Sequence, residues 1–355
     1  MNRKLYLSIF IIMFQISVVG MCTAYTNPTE IFRDVGAEGL FKPFHFINDL
    51  SVSPDGTKII FTAGTSKHRS DGCINSNKIC LLDPSQKSYY FDAHTIIPSG
   101  SNPEWSPDGT KIVYLNTDEN CWTFSDPTTG EHTYYNTNIY IIDENGEINK
   151  IVDTNQDKYR PTWSPDGKKI AYFATSFGTD YIYIIDADGT NITKLTPGRN
   201  PKWSPDGKLI AYEHEDHVYV VGSDANNKTE LYDEPAKGAI WSPDGKKIAF
   251  SSGEIIIVDI SGDNIINTGV EGKAEAWFSD GKNLLFSPSG LPISSSGYIG
   301  IVNTDGSDMR TLVKTNTTYP NVALSPDDDI LYYTDTEMTQ SELWATINKI
   351  DITHI

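Results

Sequence analysis

The sequence predicts an all-β fold, a seven-bladed β-propeller of four-stranded antiparallel blades, and three observations carry that prediction. One phrase recurs seven times: Ser53-Pro54-Asp55-Gly56, Trp105 to Gly109, Trp163 to Gly167, Trp203 to Gly207, Trp241 to Gly245, the degenerate Trp277-Phe278-Ser279-Asp280-Gly281, and Leu324-Ser325-Pro326-Asp327-Asp328. Its Asp positions, 55, 108, 166, 206, 244, 280 and 327, lie 36 to 58 residues apart, which brackets the roughly 40 to 50 residues of a four-stranded blade. Each phrase is followed by the same succession of short β-branched and aromatic segments, the residues a buried strand prefers.

Composition narrows the function. Across 355 residues, 28 Lys and Arg face 47 Asp and Glu, a net charge of -19. Binding to nucleic acid or to an anionic membrane surface needs a positive field, so neither is an expected partner, and acidic partners are disfavoured too. With 38% hydrophobic residues, 27 Gly and 19 Pro, the chain is folded and turn-rich rather than disordered.

Taken from the N-terminus, Arg3 and Lys4 precede an apolar run from Leu5 to Val19, then small residues ending in Cys22-Thr23-Ala24. That is the order of a secretory signal, with cleavage expected after Ala24. Two alternatives stay open. One is an uncleaved N-terminal anchor, the one membrane attachment considered apart from lipid; the other is a lipid-anchored Cys22, because Val19-Gly20-Met21-Cys22 resembles a lipobox. All three export the domain to the periplasm, the cell surface or the medium. Residues 1–24 are thus the signal peptide, 25–44 a lead segment and possible closure strand, and 45–355 the propeller. Beyond Cys22 the cysteines are Cys73, Cys80 and Cys121, an odd number that allows one intramolecular pair at most. A Cys73–Cys80 disulfide is the first expectation, three reduced thiols the alternative. Asn191, Asn227 and Asn316 head glycosylation sequons.

Within a blade, a short apolar strand A leads into Pro-Asp-Gly. Pro fixes φ, Asp caps backbone N–H groups and Gly is free to take positive φ, which together make a tight turn. Strand B follows, as Ile59-Ile60-Phe61, Ile112-Val113-Tyr114, Ile170-Ala171-Tyr172, Ile210-Ala211-Tyr212, Ile248-Ala249-Phe250 and Leu284-Leu285-Phe286. Strand C is equally regular, from Ile79 to Leu82 in blade 1 to Leu343-Trp344-Ala345-Thr346 in blade 7. Turns such as Asp186-Ala187-Asp188-Gly189 lead to the outer strand D. Trp105, Trp163, Trp203, Trp241 and Trp277 are expected to lie between adjacent blades as core. Either Lys349 to His354 or residues around Glu30 to Asp34 are expected to complete blade 7.

The phrase Trp-Ser-Pro-Asp-Gly-Lys-Lys-Ile-Ala-Tyr, present at Trp163 to Tyr172 and nearly so at Trp203 to Tyr212 and Trp241 to Phe250, resembles the TolB-type propeller repeat, a relative of the WD-repeat blade. The resemblance covers roughly residues 45 to 348. Similar blades occur in TolB, in propellers of prolyl oligopeptidase and dipeptidyl peptidase relatives, and in some oligogalacturonate lyases, so the resemblance implies a fold more than an activity. About 20 residues separate Ala24 from the first blade, too few for the α/β domain that precedes the propeller in TolB. The hydrolase domain of the peptidases is not expected either, since the last blade ends the chain and no Gly-x-Ser-x-Gly elbow occurs. The lyases hold a metal through channel-facing His residues, whereas His45, His68, His94, His132, His214, His217 and His354 recur at no blade position. No catalytic residue carries over and no cofactor is expected.

One cluster invites a metal: Glu213-His214-Glu215-Asp216-His217 puts His214 and His217 around a two-residue hairpin. The competing reading, an exposed polar turn, is the stronger, because two His and a flexible carboxylate make a weak site. The better clue is where the loops grow. B–C loops of about two to six residues in blades 3, 4 and 5 contrast with about 14 in blade 1, 21 in blade 2, 10 in blade 6 and 7 in blade 7. Ring closure makes blades 6, 7, 1 and 2 neighbours, so the long loops form one arc on one rim, where binding residues tend to sit. That arc carries Trp122, Phe124, Tyr134 and Tyr135 from blade 2 and Lys67 and Arg69 from blade 1, a composition suited to a protein or carbohydrate surface. The expected function is an exported binding or scaffold module with an envelope protein or glycan as partner. The alternative is a lyase-like envelope enzyme acting on polysaccharide, its catalytic residues unnamed.

Overall fold

The computed structural model describes residues 29–33, 46–64, 77–85, 94–117, 122–126, 130–134, 137–154, 156–176, 178–290, 296–338 and 343–353. Seven four-stranded antiparallel sheets follow one another along the chain. Blade 1 comprises Phe46–Val52, Ile59–Gly64, Lys78–Leu82 and His94–Ile97, and blade 4 comprises Arg199–Trp203, Leu209–His214, His217–Gly222 and Thr229–Glu230. Blade 7 takes strands A to C from Val322–Leu324, Ile330–Met338 and Leu343–Asp351, and strand D from Thr29–Arg33 near the N-terminus. Thr29 pairs with Lys349 and Arg33 with Thr346. Of the two closures considered, the N-terminal one is realised; Lys349 to Asp351 belong to strand C instead. Joining the two ends of the chain in one sheet leaves the ring no opening between its first and last blades.

The repeated turn explains why the phrase recurs. In blade 3 the Ser164 N–H donates to Lys169 O and the Gly167 N–H to Ser164 O, both at 2.8 Å. Ser164 Oγ donates to Asp166 Oδ1 at 2.7 Å while accepting from the Lys169 N–H at 2.9 Å. Gly167 sits at φ 68°, where a side chain is strained, and a Cβ there would stand 3.7 Å from Pro107 Cδ of the preceding blade. The turns therefore pack in sequence around one rim. Blade 6 lacks the Pro, so Ser279 keeps an N–H, and blade 7 lacks the Gly, so Asp328 takes φ 61°. The two departures meet: the Ser279 N–H donates to Asp328 Oδ2 at 2.5 Å.

The core lies between blades rather than in one centre. Val113, Leu115, Ile139 and Ile141 of blade 2 pack against Trp163, Ile170 and Tyr172 of blade 3, and the pattern repeats around the ring. Trp163, Trp203 and Trp277 are buried, and Trp105 and Trp241 half-buried. Each indole N–H of Trp163, Trp203, Trp241 and Trp277 donates to a strand A carbonyl of the preceding blade: Glu104, Thr162, Lys202 and Ile240 at 3.3, 3.2, 2.9 and 3.2 Å. Trp105 Nε1 is buried with no protein acceptor among the described residues.

Candidate functional site

Strand A starts on the rim opposite the Pro-Asp-Gly turns, the same rim that carries the B–C loops. Near that start the A–B ladder slips register, as between Arg199 and Lys202 in blade 4. The slip places Asp49, Asn102, Arg160, Asn200 and Gly238, each four residues before the motif Ser, at positive φ. Asn and Asp tolerate that conformation best, and the slip gathers a ring of polar side chains around the mouth of the central channel.

Two networks tie this ring together. Across blades 7, 1 and 2, the Asp49 N–H donates to Asn321 Oδ1 at 3.2 Å, and Asn102 donates through its N–H and Nδ2 to the Asp49 carboxylate at 3.3 and 3.2 Å. Across blades 4 and 5, the buried Glu213 accepts from Asn200 Nδ2 at 2.7 Å and from the Gly238 N–H at 2.8 Å, with Arg199 Nε 3.5 Å away. Glu275 is likewise held, by Lys273 Nζ and Ser287 Oγ, each at 2.6 Å.

Between these networks opens a cavity of about 830 Å3. Its wall runs from Arg160 of blade 3 through Lys202 of blade 4 and Lys237 of blade 5 to Lys273 of blade 6, and closes against Tyr319 and Asn321. The short B–C turns of blades 3 to 5 leave this side open. Glu104, beside Lys202, accepts from Thr162 Oγ1 at 3.0 Å and from the Trp163 N–H at 2.9 Å. Burial pushes its carboxyl up from the ordinary value, against the pull of Lys202 and those two donors.

Of the residues singled out in the sequence, Trp122, Phe124, Tyr134, His214 and His217 belong to or flank B–C connections. Trp122, Phe124 and Tyr134 lie in an extra hairpin, Trp122–Asp126 and Gly130–Tyr134, inserted between strands B and C of blade 2. Its register sets Trp122 opposite Tyr134 and Phe124 opposite His132, so these four positions share one face of the ribbon. Tyr135, Lys67, Arg69 and Cys73 lie outside the described residues. Cys80 is buried within strand C of blade 1, between Phe61 and Thr95, so it stands in the strand rather than in the loop before it. Blade 7 has four residues between strands B and C, not about seven, because both strands run nine residues.

His214 and His217 pair across a turn whose Glu215 and Asp216 take φ 49° and 62°. His217 Nδ1 meets Glu230 Oε1 at 2.7 Å, and His214 Nε2 lies 3.8 Å from Glu215. The two rings have separate carboxylates, and among the described residues no three His, Cys, Asp or Glu side chains form a group that suits a metal. The cationic wall was missed in the sequence. Only part of it was legible: Lys237 and Lys273 stand four residues before the motif Trp in blades 5 and 6, whereas Arg160 and Lys202 occupy other places in their blades.

No family model matches the chain. An oligogalacturonate lyase structure from Vibrio parahaemolyticus is similar over 88% of this chain and 90% of its own, with a TM-score of 0.63 and 15% identity. The architecture is that of a seven-bladed propeller. TolB from Acinetobacter baumannii is among the similar structures, at a TM-score of 0.45 and 17% identity over 78% of this chain and 76% of that one. In sequence, 182 residues are 32% identical to dipeptidyl-peptidase 5 of Porphyromonas gingivalis, 49% of this chain and 24% of that protein. The chain spans a quarter or less of the length of the curated relatives it matches.

Proposed function

We propose that this chain is an exported binding or scaffold module of the cell envelope that recognises an envelope protein or glycan through its B–C rim. Export rests on the signal-like order of residues 1–24. The observation that carries the reading is the blade 2 hairpin. Blade 2 is complete in four strands without it, so the insertion serves no need of the repeat, and its register gathers Trp122, Phe124, His132 and Tyr134 positions on one face. Aromatic side chains of this kind anchor interfaces at low entropic cost. Tyr135, Lys67 and Arg69 complete the proposed surface, and the rigid ring beneath holds it in place.

The test is a pull-down from envelope extract with the immobilised chain, comparing wild type with Trp122→Ala plus Tyr134→Ala at matched melting temperature. A protein or glycan retained by wild type and lost from the variant supports the assignment; equal retention, or none, refutes it. A second reading, an envelope enzyme acting on polysaccharide, draws on the lyase likeness and the open cavity. Depolymerisation of an acidic glycan, assayed with and without chelator, separates it from binding alone.

A further inference from the structure

We propose that the channel mouth binds a small ligand bearing two or more oxyanion groups, carboxylate or phosphate, through Arg160, Lys202 and Lys237. Acids outnumber bases in the chain by 47 to 28. The cavity wall reverses that, with Arg160, Lys202, Lys237 and Lys273 against Glu213 and Glu275. Both acids are already spent, Glu213 on Asn200, the Gly238 N–H and Arg199, and Glu275 on Lys273 and Ser287. Among the described residues none of Arg160, Lys202 or Lys237 has a carboxylate within 4.0 Å. Glu104, whose charge Lys202 feels, is committed to Thr162 and Trp163.

Position adds a second argument. The three cations come from consecutive blades, so they are spread along a wall, an arrangement that a ligand with more than one oxyanion group matches. Asn200 and Asn321 also line this wall, their amides already engaged by Glu213 and by Asp49 and Asn48. A volume of about 830 Å3 lies within the range of small-molecule sites. The Arg guanidinium offers a planar fork and the Lys ammonium groups point charges, both suited to oxyanions through charge-assisted bonds. The long-range field of an acidic chain opposes such a ligand, so its affinity comes from these direct contacts.

The inference rests on reading this rim as a binding surface, yet its test is independent of any envelope partner. Citrate and pyrophosphate are titrated calorimetrically into the full chain at low salt. The variants are Lys202→Gln plus Lys237→Gln, Arg160→Gln alone, and the control Lys246→Gln, whose ammonium faces Asp244 on the opposite rim at 3.8 Å. Saturable one-to-one binding of at least one probe is expected, and the stronger arm identifies the oxyanion. A charge-assisted bond contributes about 1.5–3 kcal/mol, so each wall variant should weaken binding about tenfold or more while the control leaves it unchanged. No saturable binding of either probe, binding that the wall variants leave intact, or equal weakening by the control would overturn the proposal. All four side chains are exposed or nearly so, and unchanged thermal melts confirm that the ring is intact.

Discussion

Replacing the motif Trp by Phe at two equivalent positions isolates one hydrogen bond in each inter-blade seam. At Trp203 the indole N–H donates to Thr162 O at 3.2 Å in a buried setting. Phe removes the donor and leaves that carbonyl unsatisfied, which costs about 1–3 kcal/mol. At Trp105 the indole N–H has no protein acceptor among the described residues, and a gap of about 280 Å3 borders the ring, so Phe strands nothing. Trp203 is buried and Trp105 half-buried, so the apolar area lost is somewhat larger at Trp203 and adds to the difference in the same direction. Trp203→Phe should therefore lie about 1–3 kcal/mol below Trp105→Phe. With a urea m-value of about 3 kcal/mol/M, the midpoints should differ by about 0.3–1 M. Urea melts followed by far-ultraviolet circular dichroism measure this, with m held constant as the check on comparability. Equal midpoints, or a larger loss at Trp105, would refute the seam argument.

Three further outcomes are expected. Glu104 has a raised folded-state pKa, so its contribution to stability is present below its unfolded pKa and lost as pH rises through the folded value; Glu104→Gln should gain on wild type in thermal melts as pH rises above the ordinary carboxyl value of 4.5, and a variant that instead loses ground as pH rises contradicts this. The turn carboxylates run the other way: Asp55 is lowered to about 2, first by the Ser53 hydroxyl and then by Thr57, and Asp108, Asp166, Asp206, Asp244 and Asp327 are also lowered. Their stabilisation is present above the unfolded value near 3.8 and is lost as pH falls toward 2, so wild type and Asp55→Asn should converge across that window. A chain starting at residue 34 lacks the strand that closes blade 7 and should melt several degrees below one starting at residue 27, whereas identical melting would show that the ring closes without it.

Legibility in the sequence followed repetition. The turn phrase and strands B and C are dictated by local chemistry that each blade restates, so period and strand order could be read directly. The closing strand could be read only as one of two candidates, because Thr29–Arg33 carries no copy of the repeat and is fixed only by its pairing with Leu343–Asp351. The hairpin within blade 2 could not be read, because Trp122 to Tyr134 reads as a long polar loop interleaved with aromatics until register pairs its two halves. The cationic wall was hidden for a different reason: Arg160, Lys202 and Lys237 lie about 40 residues apart in the sequence and meet only when inner strands converge on one axis.

What the repeat leaves over separates into two kinds by how each departure spends its polar groups. Ser279 and Asp328 both break the turn phrase, and each meets the need the other creates, an N–H that Pro would have removed and a carboxylate that Gly would not have brought. Such a pair is closed and serves the ring. Glu213 is closed too, since Asn200 and the Gly238 N–H occupy its oxygens. Arg160, Lys202 and Lys237 are departures of the other kind, because they line a shared cavity and among the described residues none of them forms an ion pair. The oxyanion ligand proposed for this cavity would bring the charges that complete them.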